Sequence, residues 1–216
     1  LIAYFKTATN IDEFLSLVSS LNGIFSVVIH RGDFLASAVD LTRLYPVFYT
    51  FKNDKWCISD TPYSLISSDS TISSEALLQI RSLDTVFSDK TLVNDIYRLQ
   101  SGQIVEFKEG GIFEKRTYFH YNTPTSQVQA SSVDALEIVL KSAVGRLVKR
   151  ASGRQIVMPL SAGYDSRIII TMLKEYGYTN VLTYTMGSDY EESECPVAKR
   201  VANILGYENH SLILKE

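Results

Sequence analysis

The spacing of apolar and polar positions changes character near the middle of the chain. The first half alternates in short runs. Leu1 to Thr7 sets Ile2 and Tyr4 against Ala3 and Phe5, the period of a strand. Asn10 followed by Glu13 is a capping-box pattern, and Ile11, Phe14, Leu15, Val18 and Leu21 form the apolar stripe of a helix that Asn22-Gly23 stops. Ile24 to His30 and Phe34 to Val39 read as strands joined at Arg31-Gly32-Asp33, and Val47 to Phe51 with Lys55 to Ser59 repeats the arrangement around Asn53-Asp54. Ser74 to Ile80 has helical spacing, and Asp84 to Val93 is polar and loop-like. Gly102 to Phe107 and Gly111 to Tyr118 make a further hairpin around Glu109-Gly110-Gly111. A run of antiparallel strands is expected here.

The second half has longer periods. Asn122 to Ala130, with Pro124 and several Ser, Thr and Gln residues, has the composition of a linker, and the domain boundary is placed near residue 125. Ser131 to Arg150 reads as a helix with Val133, Leu136, Val139, Leu140, Ala143, Val144 and Leu147 facing inward. Strands are expected at Ile156 to Leu160, Val181 to Met186 and Ser211 to Leu214. The intervening helices are Arg167 to Tyr176, with Ile168, Ile169, Met172 and Leu173 on one face, and Glu191 to Leu205, stopped by Gly206. Alternating strands and helices point to a doubly wound sheet, which binds ligands beyond the C-terminal ends of its strands. The ends at Leu160 and Met186 then face one crevice.

The chemistry is concentrated where the first of these strands meets its helix. Leu160-Ser161-Ala162-Gly163-Tyr164-Asp165-Ser166 offers two hydroxyls, one carboxylate and a small pair that lets backbone N–H groups approach a ligand. A helix N-terminus carries unpaired N–H groups and a positive dipole end, which suit a phosphate. Asp165 is odd there unless a cation accompanies it, and it is the candidate Mg²⁺ ligand. Ser and Asp are also ordinary N-caps, and spacing alone does not separate that use from phosphate binding. The G-x-x-x-x-G-K-[ST] and G-x-G-x-x-G signatures are absent, which sets aside a Walker kinase and a dinucleotide-binding Rossmann domain.

Composition narrows the classes further. The 216 residues carry a formal net charge of −3 and are 45% hydrophobic, enough for a sizeable core and unlike a general nucleic-acid binder. No stretch has the apolar length of a membrane span and no secretory signal pattern is present, so a soluble, cytoplasmic protein without membrane or nucleic-acid partners is expected. Cys57, within an alternating strand, and Cys195, before Pro196, lack metal or redox spacing and read as reduced structural thiols; His30, His120 and His210 are scattered. The cations Lys141, Arg146, Lys149, Arg150 and Arg154 fit a helix C-terminus, with steering of an anionic ligand as the alternative use. Asp189, Glu191, Glu192 and Glu194 fit a helix N-terminus, with a second Mg²⁺ contact as the alternative. Leu1 opens directly into a strand pattern, which points to a piece of a larger polypeptide.

The loop at Ser161 resembles the Ser-Gly-Gly-x-Asp-Ser pyrophosphate loop of N-type ATP pyrophosphatases, in particular the asparagine synthetase family. Ala162 stands where that family has its first glycine; if the position needs φ > 0, alanine costs about 1 kcal/mol. The first half is similar to the later strands of that family's glutaminase domain in collinear order, through Leu21-Asn22-Gly23-Ile24-Phe25-Ser26, Ala38-Val39-Asp40, Leu44-Tyr45-Pro46-Val47-Phe48-Tyr49, Cys57-Ile58-Ser59-Asp60-Thr61-Pro62 and Leu99-Gln100-Ser101-Gly102-Gln103.

The resemblance implies an α/β protein whose first half is α+β. Residues 1–125 would be a partial N-terminal-nucleophile-type antiparallel-sheet domain, and residues 126–216 the start of a doubly wound, adenine-nucleotide hydrolase-like synthetase domain. It implies ATP and Mg²⁺ as cofactors, with Leu160, Ser161, Ala162, Gly163, Asp165 and Ser166 around the phosphates, the backbone at Thr185, Met186 and Gly187 around adenine, and Asp165 on the metal. Small-molecule substrates follow: ATP, an amino acid with aspartate as the default, and glutamine or ammonia as nitrogen donor. Neither cysteine stands where the family's glutaminase nucleophile belongs, so no catalytic residue is assigned. A β-lactam synthetase-like ligase without glutaminase activity and a non-catalytic nucleotide-binding relative are the alternatives.

Overall fold

The computed structural model describes residues 4–122 and 132–214. The chain divides into two compact units, Leu1–Thr123 and Pro124–Glu216. The expected linker and the boundary near residue 125 lie, Asn122 apart, outside the described residues.

The first unit is built in layers of antiparallel sheet. The expected opening strand is absent over its described part: Tyr4–Thr7 is a 3₁₀ helix, and Phe5 and Ala8, one 3₁₀ turn apart, are the buried residues. α1 (Ile11–Ser19) starts at Asn10, whose side chain accepts from the Glu13 N–H at 3.0 Å. The return arm of this capping arrangement shifts by one residue, with Glu13 Oε2 accepting from Thr9 N at 2.8 Å. Strands β1 (Ser26–Arg31), β2 (Phe34–Val39), β6 (Gln103–Phe107) and β7 (Phe113–Thr117) form a four-stranded sheet in the order β1-β2-β6-β7. A second sheet, β4-β3-β5, contains β3 (Phe48–Lys52), β4 (Lys55–Ser59) and β5 (Tyr97–Arg98). The β3–β4 turn is Asn53-Asp54, both residues at positive φ (50° and 57°), the tight hairpin turn that matches strand twist.

β2 is buried on both faces because a different layer covers each. Phe34, Ala36 and Ala38 pack with Ile104 against Phe14 and Val18 of α1. Val39, Val105 and Phe107 pack on Tyr49 of the second sheet and on Val47 and Leu99, which flank its strands β3 and β5. α2 (Ser74–Leu83) is capped by the Ser73 side chain. Cys57, expected to pack in a sheet, is instead exposed on β4, an edge strand.

Beyond β2 the chain is knotted around one carboxylate. Asp40 is buried; its Oδ1 accepts from Thr42 N and Thr42 Oγ1, both at 2.6 Å, and from Arg43 N at 2.9 Å, while Oδ2 accepts from Phe25 N at 2.9 Å. Burial alone raises a carboxyl's pKa, but these hydrogen bonds outweigh it and hold Asp40 below the usual range.

The second unit is a parallel sheet with helices. α3 (Val133–Ala151) leads into β8 (Ile156–Pro159), α4 (Tyr164–Glu175), β9 (Val181–Gly187), α5 (Cys195–Leu205) and β10 (Glu208–Ile213). The strands run in the order β10-β9-β8, the sequential winding of one arm of a doubly wound sheet. The core sits on one sheet face, where Met158, Leu160, Val181 and Tyr207 meet Ile170 and Leu173 of α4, Ala198 and Ala202 of α5, and Val144 of α3. The opposite face exposes Val157, Met186 and Leu212.

Two helical faces differ from expectation. On α4, Ile168 and Ile169 are exposed and Ile170 is fully buried beside Met172 and Leu173. On α3 only Val144 is buried, with Leu140 and Val148 packed against the same core; Val133, Leu136, Val139, Ala143 and Leu147 are exposed. α3 approaches α4 at Gly145, where an added Cβ would lie 2.8 Å from the Tyr176 hydroxyl, which donates to Lys141 O at 2.8 Å.

Candidate functional site: the loop between β8 and α4

β8 ends on a residue that is itself fixed. Leu160 N donates to Tyr184 O at 2.8 Å, prolonging the ladder to β9, and its side chain is buried in the core. Its carbonyl accepts from the Thr185 hydroxyl at 2.7 Å, which ties the end of β8 to the end of β9. The Ser161 loop and the Met186-Gly187 end of β9 therefore flank the same edge of the sheet, beyond its strand C-termini.

The turn is closed by its own hydroxyls. Ser161 Oγ and Ser166 Oγ lie 2.9 Å apart, Ser161 N donates to Ser166 Oγ at 3.1 Å, and Gly163 N donates to Ser161 Oγ at 3.1 Å. α4 begins at Tyr164, earlier than the spacing predicts, so Asp165 and Ser166 belong to its first turn instead of to the loop. The N-cap is Gly163, which brings no side-chain cap bond, and Asp165 and Ser166 are past the cap position. The ordinary N-cap use of Ser and Asp thus does not apply here. At such a helix start the first N–H groups have no intrahelical acceptor, and the positive dipole end lies behind them.

Asp165 is exposed, with no hydrogen bond or ion pair among the described residues. No group of three or more His, Cys, Asp or Glu side chains converges as a metal site among the described residues. Asp165 is the carboxylate of this loop that could hold a hard divalent cation of the kind that also takes phosphate oxygens.

Ala162 has no positive φ, and Gly163 sits at φ −69°, ψ 161°. The condition under which alanine would be strained at this position is not met. Ala162→Gly should therefore leave nucleotide binding within about twofold while lowering stability by about 0.4–1 kcal/mol through unfolded-chain entropy. Calorimetric titration and urea unfolding read the two effects; a marked gain in affinity would show that the alanine does obstruct the loop.

Sequence reasoning passed over Arg167. Its guanidinium lies 4.6 Å from the Tyr164 ring centroid and its Nε donates to Gly163 O at 3.1 Å, placing a cation at the first turn. The available signal was the i, i+3 spacing of Tyr164 and Arg167, neighbours once Tyr164 is helical.

At the end of β9, Met186 is exposed and the Gly187 carbonyl accepts from Leu214 N at 2.9 Å. A Cβ on Gly187 would lie 2.5 Å from Ser193 Cβ, so the following turn packs directly on the bare backbone. That turn holds the acidic residues expected to open a helix at Glu191. α5 starts only at Cys195; before it, Asp189 Oδ1 accepts from Glu191 N at 2.8 Å and from Glu192 N at 3.1 Å. At the end of α3, Arg154 donates to Arg150 O and Ala151 O, a use of cations at the helix C-terminus.

Residues 135–216 match the family model described as asparagine synthase. The chain is 29% identical over 202 residues to the glutamine-hydrolysing asparagine synthetase 1 of Bacillus subtilis (strain 168), a match covering 91% of this chain and 32% of that protein. It thus spans about a third of the length of that curated relative. Among solved structures, the NH3-dependent NAD synthetase of Campylobacter jejuni matches 39% of this chain and 37% of its own, with 21% identity and a TM-score of 0.34. The glutamine phosphoribosylpyrophosphate amidotransferase of Bacillus subtilis matches 99% of this chain and 63% of its own, with 11% identity and a TM-score of 0.37. Among the described residues, no helix is long and apolar enough to cross a membrane. Residues 135–216, which include the loop that begins at Ser161, are thus similar to the asparagine synthase family.

Proposed function

We propose that the protein is an ATP-dependent carbon–nitrogen ligase that adenylates a carboxylate, aspartate by default, releases pyrophosphate, and passes nitrogen from glutamine or ammonia to the activated acid. In this reading residues 1–125 are the glutaminase-like part and residues 126–216 the synthetase part. The observation that carries the proposal is the uncapped N-terminus of α4 at Gly163, with the free carboxylate of Asp165 in its first turn. A carboxylate without a partner opposes phosphate unless a cation joins them, which is why the pair fits a nucleotide with Mg²⁺ better than a bare anion.

Bound there, ATP with Mg²⁺ would supply an electrophilic α-phosphorus and a pyrophosphate leaving group. The chain's own part is positioning and charge. The α4 N–H groups and the hydroxyls of Ser161 and Ser166 would hold the β- and γ-phosphate oxygens, Gly163 and Ala162 would leave room for that approach, and Asp165 would hold the metal. Leu160 would fix where the loop begins, and the backbone of Thr185, Met186 and Gly187 would border the base. Holding the reacting groups in line accounts for most of the rate such a site can supply.

Incubating the protein with ATP, Mg²⁺ and a panel of amino acids, with and without glutamine or ammonia, tests this directly. AMP and pyrophosphate, formed with one acid and not the others, are expected. ADP and phosphate would mean that the bond broken is not the one the loop is proposed to serve.

A further inference from the structure

A set of buried polar groups between β9 and β10 lies outside the phosphate contacts proposed above and is wired to them. Thr183 is fully buried and Thr185 nearly so. Both hydroxyl protons are committed: Thr183 Oγ1 donates to Glu208 O at 2.8 Å and Thr185 Oγ1 to Leu160 O at 2.7 Å. Each hydroxyl oxygen is left able only to accept. One side-chain amide serves both, with Asn209 Nδ2 at 2.9 Å from Thr183 Oγ1 and 3.2 Å from Thr185 Oγ1. Two donors meet two acceptors, which fixes how the amide is turned. Its own oxygen is then buried with no donor. A group that leaves one of its own atoms unsatisfied is a poor choice for stability alone. What it does hold is the hydroxyl that fixes the carbonyl from which the chain leaves β8.

We propose that Asn209 is a positioning residue for the loop between β8 and α4, acting through the Thr185 hydroxyl on the Leu160 carbonyl. The role rests on the loop's being the phosphate site, and the mechanical part of it can be read without that. With Leu160 O held, the Ser161–Ser166 hydroxyl pair closes over a fixed base and the α4 N–H groups keep one direction. With it released, the loop can pivot about Leu160 while the core beneath α4 stays packed.

Three isosteric or conservative variants of the 216-residue chain separate these states. Asn209→Asp replaces the two donors by acceptors, so the threonine protons must turn toward the carboxylate and leave Leu160 O and Glu208 O. Thr185→Val keeps the shape without the hydroxyl, and Thr185→Ser keeps the hydroxyl. Hydrogen exchange should speed about tenfold at the amides of Ser161 and Gly163 in Asn209→Asp and Thr185→Val, as expected for losing one hydrogen bond. Exchange in Ile170 to Leu173 should not change, and Thr185→Ser should match the wild type. Titration with inorganic pyrophosphate and Mg²⁺ should show about a tenfold rise in Kd in the first two variants and none in the third. Unchanged loop exchange in folded Asn209→Asp, or equal acceleration throughout the second unit, would overturn the proposal. If the wild-type chain binds no pyrophosphate, the phosphate reading of the loop fails, and the exchange comparison still decides whether Asn209 sets its position.

Discussion

Replacing Asp165 by alanine should lower Mg²⁺-dependent formation of AMP from ATP by about 10²–10³-fold, the scale set by removing a metal-held charge from the phosphates. The same change should leave folding nearly untouched. Asp165 is exposed and has no partner among the described residues, so only its favourable place at the α4 dipole is lost, about 0.3–1 kcal/mol. Asp165→Asn keeps the shape and removes the charge, and should fall with alanine. A steady-state assay of AMP release across a Mg²⁺ series, run beside thermal unfolding, distinguishes loss of chemistry from loss of structure. Turnover at the wild-type level in either variant would end the metal role of this carboxylate.

The second large effect concerns the first unit. Asp40→Ala removes the acceptor for three backbone N–H groups and one hydroxyl, at Phe25, Thr42 and Arg43, inside the fold. Leaving those donors without a partner should cost about 3–5 kcal/mol. Asp40→Asn should recover only part of this, because its amide N–H₂ would meet donors on one side. The single tryptophan, Trp56, packs against the core of this unit, so urea unfolding followed by its fluorescence reports on the unit itself. The pH dependence has a definite sign. Asp40 is held below its ordinary value in the folded state, so its contribution is complete above the unfolded carboxyl pKa of about 3.9 and is lost as pH falls through the folded value. Wild-type stability should drop on acidification through that window, and Asp40→Ala should lack that part of the drop. A variant within about 0.5 kcal/mol of wild type would show that Asp40 does not organise the turn.

Where local chemistry alone decides a structure, the sequence was a good guide. Asn53-Asp54 and Gly32-Asp33 can take up the backbone conformations that tight hairpins demand, and both turns are present. The first two parallel strands were legible as short apolar runs between helical periods, whereas β10, expected from Ser211, already begins at Glu208 in the polar stretch Glu208-Asn209-His210 that the spacing passed over. Errors came where tertiary partners decide. Apolar residues cover about half the circumference of α3, and nothing in the spacing says which part of that arc is packed; the Leu140, Val144 and Val148 side was chosen. Leu1 to Thr7 alternates like a strand, yet the bulk of Phe5 and the smallness of Ala8 suit one 3₁₀ turn over α1.

The loop itself was legible by residue and misread by conformation. Ser161, Gly163, Asp165 and Ser166 do lie together at the head of α4, but a glycine N-cap drew the helix start back to Tyr164 and took Arg167 with it. Asp189 similarly delayed α5 by engaging the N–H groups of Glu191 and Glu192 in a turn of its own. The network of Thr183, Thr185 and Asn209 left no trace in the sequence, since it exists only once β9 and β10 are in register, with Asn209 beside Thr183.

The order β10-β9-β8 carries a consequence for how the protein is made. Each strand pairs with the one just synthesised, across a single helix, so the second unit can grow outward strand by strand as it leaves the ribosome. The first unit cannot assemble that way, for β2 stays without its inner neighbour until β6 arrives and Leu35 comes to lie beside Phe107. During translation the antiparallel half is thus the one that waits, with a strand meant for two buried faces still open on one edge.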